Sequence, residues 1–531
     1  MGKRALALDL GTSSVRAIVF EQDGPASLWA VDGAIARRAR HLRSDEPGQA
    51  TFEADDYLSD LVACIDELHG EGFLQGIDAV AIDSQWHSIV PVDGEGKPLG
   101  ELLSWADTRP SHPLELHSEA KSKAKSVAQP EAKSEAEPAD RLERLRQRTG
   151  CAFAPMYWTY RAPWLAARGA AYQVARFLGL PEYVALHLLD DPSTSLSMAS
   201  GTGLLNTADM QWDDEAMEIA NVSPQALPPI VTDEWRGRLS STWGRRWPEL
   251  AEVPWFPSLG DGAAANLGIG CDKPGWAAVT IGTSAAVRSV RPARDRSPLP
   301  PGLWRYRVDA ERVVLGAAYS SGGQLYSWAL GLWEGTSAVP AGTGHRAVGA
   351  ARGAPHEVRY DVPMPVGAGS QGVIVLPWHA GTRPPAPGVP GGQGCVVGLG
   401  LGHTGAHIVS AAVEAVCFQI AQGLEDLAST SQIPLEVVAN GGALDRSEWW
   451  RQRLASTLDR RLHFLDVPET TARGAARVAL GADLSPSAPD EQQVVPIKAD
   501  VDVLNAARKR WEQWYQDVRP LASAAGEQGR R

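Results

Sequence analysis

Residues 8–19 read LDLGTSSVRAIV, and residues 279–290 read VTIGTSAAVRSV. In both, a short apolar run ends in Gly-Thr-Ser and a second apolar run follows. The triplets Gly11-Thr12-Ser13 and Gly282-Thr283-Ser284 are offset by 271 positions, about half of the 531-residue chain. A Gly-Thr-Ser turn between two strands exposes backbone N–H groups and two hydroxyls, which together can cradle phosphate oxygens. One such turn is an ordinary hairpin. Two at matching places imply a duplicated α/β architecture whose halves face one phosphate chain.

The surrounding sequence fits that frame. Residues 4–9 (RALALD) and 15–20 (VRAIVF) read as paired strands. A helix is predicted over 54–68, where Leu58, Leu61, Cys64, Ile65 and Leu68 share one face. Residues 77–83 (IDAVAID) and 435–440 (LEVVAN) read as further strands. Gly441 and Gly442 follow the second of these, ahead of the helix-like SEWWRQRLA. Residues 118–140 (SEAKSKAKSVAQPEAKSEAEPAD) hold one bulky apolar side chain, Val127. Such a segment buries too little to offset its ordering entropy, so a solvated insertion is expected. The stretch from about 521 is expected to fray.

Composition bounds the function. A chain of this length makes two large domains or several small ones. It carries 63 Asp and Glu against 50 Lys and Arg, a net charge of −13. That balance argues against nucleic acid as the main partner. The five cysteines are scattered and never form CxxC, which suits reduced thiols in the cytoplasm rather than disulfides or zinc. The N-terminal apolar run is broken by Asp9, so it does not read as a signal peptide. No apolar stretch approaches the roughly 20 residues that span a bilayer, so no membrane partner is expected. His403 and His407 have ligand-like spacing but lie in a Gly-rich turn before a helix, and they read as structural.

An ordered set of motifs goes further. They are DLGTSSVRAIVFEQDG (9–24), SQWHSIVPVD (84–93), WADTR (105–109), GDGAAANLGIGC (260–271), TIGTSAAVR (280–288), GGQLYSW (322–328), LPWHAGTRP (376–384), NGGALDRSEWWRQRLA (440–455) and RGAARVAL (473–480). With them the chain resembles the FGGY family of carbohydrate kinases from about residue 4 to about 481. SLSMASGTGL (195–204) and WHS (86–88) look most like the gluconokinase branch. Two departures stand out. Gly381-Thr382-Arg383 replaces the Gly-Glu-Arg of many members, and the 118–140 insertion is longer than the family leads one to expect.

The resemblance implies two duplicated actin-like (ribonuclease-H-like) domains with a cleft between them. The sugar-binding domain is expected at 1–257, the nucleotide-binding domain at 258–515 and a tail at 516–531. It implies ATP and Mg2+ as cofactors and a small sugar or sugar acid as substrate, and it leaves a homodimer open. Asp261 would be the general base, and Asp9 would hold the metal ion. Gly11, Thr12, Ser13, Gly282, Thr283 and Ser284 would meet phosphate, with Gly441 and Gly442 beside the nucleotide. Gln85, Trp86, His87, Trp105, Asp107 and Arg109 would form the acceptor wall. Gluconate is the expected acceptor, with His87 and Arg109 facing its carboxylate. A pentulose kinase is the alternative. An actin/chaperone-type ATPase also fits paired phosphate turns but does not need the acceptor residues, and a catalytically silent sugar sensor would not need Asp9 and Asp261.

Overall fold

The computed structural model describes residues 2–110, 136–168, 174–294, 297–334, 366–386, 388–389, 391–486 and 492–528. The first half is built on β1 (Lys3–Leu10), β2 (Ser14–Gln22) and β3 (Trp29–Ala39), an antiparallel meander. Helix α1 (Ala54–Gly70) leads to β4 (Ala79–Ser84), which pairs parallel to β1. The two-residue β5 (Leu259–Gly260) closes this sheet against β4, and α2 (Asp261–Gly268) follows at once.

The second half repeats the scheme. β6 (Trp276–Ile281), β7 (Ala285–Pro292), β8 (Trp304–Arg307) and β9 (Arg312–Tyr319) form antiparallel pairs. Helices α3 (Gly323–Glu334) and α4 (Gly405–Ser429) precede β10 (Glu436–Asn440), which pairs parallel to β6 as β4 does to β1. After α5 (Glu448–Leu458) come β11 (Leu462–Phe464), α6 (Thr470–Leu480), β12 (Gln493–Val494) and α7 (Lys498–Gln528).

β1 shows how sequence sets the layers. Its side chains alternate, and both faces are covered. Leu6, Leu8 and Leu10 pack with Tyr57, Leu61, Cys64, Ile65 and Leu68 of α1. Ala5 and Ala7 face the other way, against Ala472, Ala476 and Leu480 of α6. Small side chains on both surfaces let α6 lie close. Two glycines do the same between helices: a Cβ on Gly268 would overlap the Thr470 carbonyl, and one on Gly474 would overlap the Ala264 carbonyl. A helix from late in the chain is thereby locked onto α2.

Two expectations change, and a third lies largely outside the described residues. Of the 118–140 segment only 136–140 lies among the described residues, and those five open a helix, Ala136–Thr149. The stretch from 521 is helical through Gln528, and Ala522 is buried in the second-half core. Its Ala-rich sequence favours helix once one residue docks. Finally, α4 is long and apolar enough to cross a membrane, although 83% of its most apolar window is buried inside the fold. Ser410, Glu414 and Gln419 interrupt its apolar run, which is why it does not stand out as a span. Glu414 is buried there beside Arg453 at 3.2 Å.

Candidate active site

The C-terminal ends of β1 and β4 lie side by side, where open α/β sheets gather ligands. Asp9 pairs in register with Asp83, and the chain runs on into Gly11-Thr12-Ser13 and Gln85-Trp86-His87. Asp9 is 7% and Asp83 0% exposed. Neither oxygen of Asp83 has a hydrogen-bond donor. Burial, and then Asp9, push the Asp83 carboxyl well above the ordinary carboxylate range. Burial raises Asp9 to about 6, against the pull of Arg16. Arg16 reaches Asp9 at 3.3 Å and also pairs with Glu469 just before α6. Two buried carboxylates side by side, Asp83 without a well-formed hydrogen-bond donor, suit a cation. Among the described residues no three His, Cys, Asp or Glu side chains assemble into a metal cage. Mg2+ needs none, because it keeps several waters and takes one or two carboxylates.

Asp261 is the first residue of α2, and its Oδ1 accepts the Gly262 N–H at 2.7 Å. The structure therefore sets it in the helix's first turn and leaves its carboxylate open to solvent. Protein encloses its other sides. That burial raises its pKa, while Arg288, the Gly262 amide and Arg383 favour the ionised form. Asp9 and Asp83 feel the Asp261 charge as well, so the carboxylate sits between groups of both halves.

The acceptor-wall residues divide into two groups. Trp105 donates its indole N–H to Thr12 Oγ1 at 3.0 Å, and Thr12 donates to Gln85 Oε1 at 3.1 Å. Trp86 donates to the Ser197 carbonyl at 3.0 Å and lies flush on the Gly260–Gly262 backbone, where any Cβ would strike its ring. Ser197 belongs to the SLSMASG stretch, so that segment serves to seat Trp86. His87 has a φ of 69° and donates its Nδ1–H to the Gly201 carbonyl at 2.5 Å. Burial lowers its pKa to about 3, so the ring is neutral and Nε2 is left as an acceptor. Tyr157 and Tyr306 stand edge-on to it, joined by a 2.7 Å hydrogen bond between their hydroxyls.

Asp107 and Arg109 behave differently. Arg109 is held by Asp107 and Glu46, each at 2.7 Å, and lies 3.5 Å from Glu101. A guanidinium held by three carboxylates has no free fork for a substrate. With His87 neutral, neither cation expected for a sugar-acid carboxylate is available. Asp107 and Arg109 instead brace the wall, together with a residue the sequence reading missed. Arg161, fully buried, donates to the carbonyls of His87 (2.7 Å), Asp107 (3.0 Å) and Trp105 (3.2 Å).

Among the described residues at the site, the cations without a hydrogen bond or ion pair are Arg288 on β7 and Arg383 in the loop after LPWHAGT. Burial lowers the pKa of both, Arg383 to about 10, and Asp261 offsets it in each. Arg383 lies over the Trp105 ring, 4.2 Å from its centroid. Arg288 Nε is buried without an acceptor.

At the second sheet, Gly282-Thr283-Ser284 turns between β6 and β7. The Gly282 and Thr283 carbonyls accept from the Gly323 and Gln324 amides at 2.7 and 3.2 Å, which fixes the turn at the start of α3. Gly441, with a φ of 107°, lies against this sheet end: a Cβ on it would come within 2.7 Å of the Ile281 carbonyl. Around Gly442 the space is open. His403 and His407 hold no such place. His407 Nδ1 accepts the Thr404 amide at 3.0 Å and caps α4.

The model of the N-terminal domain of the FGGY family of carbohydrate kinases matches residues 4–268, and that of the C-terminal domain matches residues 277–482. The chain belongs to the FGGY family of carbohydrate kinases. It has the family's two-domain actin-like fold, with the cleft between the domains, and the family's ATP-dependent sugar kinase activity. It is 26% identical to a gluconokinase of Bacillus subtilis (strain 168), over 90% of this chain and 87% of that protein. It is 24% identical to a xylulose kinase of Escherichia coli (strain K12), over 97% and 99% of the two chains. A crystal structure of gluconate kinase from Lactobacillus acidophilus superposes with a TM-score of 0.79 at 21% identity, over 99% of this chain and all of that one.

Proposed function

We propose that this FGGY kinase phosphorylates D-gluconate on its terminal hydroxyl, giving 6-phosphogluconate and ADP. The observation that carries the reading is Asp261: an ionisable carboxylate open to the cleft, between the groups of both halves. In this reading it accepts the proton of the attacking hydroxyl. That oxygen bonds to the γ-phosphorus of ATP as the bond from phosphorus to the ADP oxygen breaks. Phosphoryl transfer asks little covalent chemistry of the protein and relies on alignment and charge.

In this reading the other residues take the following roles. Trp86 forms an apolar wall for the sugar, and His87 Nε2 and Gln85 offer polar contacts. Gly11-Thr12-Ser13 and Gly282-Thr283-Ser284 donate to phosphate from the two sides, and Gly441-Gly442 leave room for the nucleoside. Asp9 and Asp83 would hold a hydrated Mg2+, which when bound would offset negative charge on the transferring phosphates. Gluconate rests on the gluconokinase relative and on SLSMASG, which seats Trp86. A pentulose acceptor is the second reading, favoured by the near-complete overlap with the xylulose kinase.

The test is ADP release coupled to NADH oxidation, with gluconate, xylulose, ribulose and glycerol as acceptors. Gluconate is expected to have the highest kcat/KM. A tenfold advantage for either pentulose removes gluconate and leaves the kinase.

A further inference from the structure

The acceptor end of the cleft holds more positive than negative charge. Arg288 and Arg383 both face Asp261, and among the described residues neither makes a hydrogen bond or ion pair with protein. The neighbouring cations are already satisfied. Arg109 has its three carboxylates, Arg161 its carbonyls, and Arg16 has Asp9 and Glu469. His87 is neutral. Asp9 is paired with Arg16 and burial pushes the Asp83 carboxyl toward its neutral form, so two free guanidinium groups against the Asp261 carboxylate leave one positive charge unpaired in a site partly shielded from water. Such a charge needs an anion.

We propose that Arg288 and Arg383 bind the carboxylate of the acceptor and thereby select a sugar acid over a neutral sugar. This rests on reading the cleft as a kinase site with Asp261 as base. A carboxylate carries the single negative charge that closes the count, and its two oxygens match a guanidinium fork. A neutral ketose or polyol would leave the surplus in place. The γ-phosphate is the other anion in reach, but the surroundings favour the acceptor. Arg383 stacks on Trp105 and lowers the pKa of His87. Arg288 Nε lies where a Cβ on Gly262 would come within 2.8 Å of it, beside the Trp86 ring. Both arginines therefore stand among the acceptor-wall aromatics.

The experiment compares wild type with Arg288→Gln and Arg383→Gln, using gluconate and its neutral isostere gluconamide. Binding of each without nucleotide is read from tryptophan fluorescence, ADP affinity from calorimetry, and KM for acceptor and ATP from the coupled assay. Each substitution is expected to weaken gluconate roughly 10- to 100-fold, with gluconamide and ADP changed less than about threefold. Equal weakening of gluconate and gluconamide overturns the proposal while leaving gluconate phosphorylation intact. So does a raised KM for ATP with unchanged gluconate binding, which would assign the pair to the γ-phosphate. If wild type ignores gluconate but takes another sugar acid with the same arginine dependence, the gluconate reading falls and this one stands. If wild type binds no sugar acid at all, both fall. Should a glutamine variant not fold, Arg→Lys at the same position keeps the charge but loses the fork, and it is expected to weaken gluconate selectively.

Discussion

Asp9 and Asp83 lie opposite one another on adjacent parallel strands, and their counterparts in the second sheet, Thr280 and Asn440, lie opposite one another in the same way. The duplication preserved the register, but only the first half carries the acids. A carboxylate buried as deeply as Asp9 strains the folded state once it is ionised, and this makes a stability prediction. Burial, the largest cause, lifts Asp9 from 3.8 to about 6. A folded carboxyl with a raised pKa binds more protons than the unfolded chain. Its contribution to stability is therefore full below about 4 and is lost as pH rises to about 6. At about 1.4 kcal/mol per unit, the loss is on the order of 3 kcal/mol. Asp9→Asn keeps the size of the side chain and removes the titrating group. It is expected to raise the melting temperature at neutral pH and to flatten the wild-type decline between pH 4 and pH 6. Thermal melts of both proteins across that range check this. A variant less stable than wild type at neutral pH refutes it.

Asp261→Asn keeps the size of the side chain and removes the base. Turnover is expected to fall by roughly 10²–10⁴-fold. ADP affinity should hold, because the phosphate turns and Gly441 are elsewhere. Single-turnover kinetics with the favoured acceptor and a calorimetric ADP titration separate the two effects. Retained turnover would remove Asp261 from the chemistry.

How much of this was legible beforehand depended on what each residue answers to. The strands around both Gly-Thr-Ser turns, α1 and the Gly441 turn followed from local periodicity and turn chemistry, and the structure contains all of them. That Thr12, Gln85 and Trp105 form one hydrogen-bonded chain was not legible, because the motif order places them without showing their contacts. Asp83 ends its strand as Asp9 does, and that shared position is the signal in the sequence for its place at the site. Arg109 was misread for a different reason. An arginine two residues after an aspartate gives no sign of whether its fork is free, and the answer lay with Glu46 and Glu101, far away in sequence. Arg288 closed the TIGTSAAVR motif in plain view, but its direction depends on the twist of β7 and on Gly262 making room.

The link between Trp105 and Thr12 ties the acceptor wall to the first phosphate turn. Trp105→Phe keeps a ring under Arg383 and deletes the N–H, and Thr12→Ala deletes the other partner. A double-mutant cycle on kcat/KM is expected to give a coupling energy of about 0.5–1.5 kcal/mol. Purely additive losses would mean the two sites are positioned independently.

The last prediction concerns the seat of the catalytic helix. Asp261 begins α2, and α2 is held by α6 through the Gly268–Gly474 contact and through Arg473 and Arg477. These donate to the Gly268 and Leu267 carbonyls at the far end of the same helix. A methyl group on Gly474 meets the Ala264 carbonyl, which cannot rotate away as a side chain could. Gly474→Ala must therefore push the helices apart. Overpacking of this kind costs roughly 1–3 kcal/mol. The displacement should also reach Asp261, because a rigid helix carries a shift from one end to the other. We expect Gly474→Ala to lower the melting temperature and to reduce kcat more than acceptor affinity. The control is Val478→Ala on the same helix, a partly exposed position that makes no such contact, where little change is expected. Full activity in Gly474→Ala together with a lowered melting temperature would show that the contact supports the fold without positioning the base.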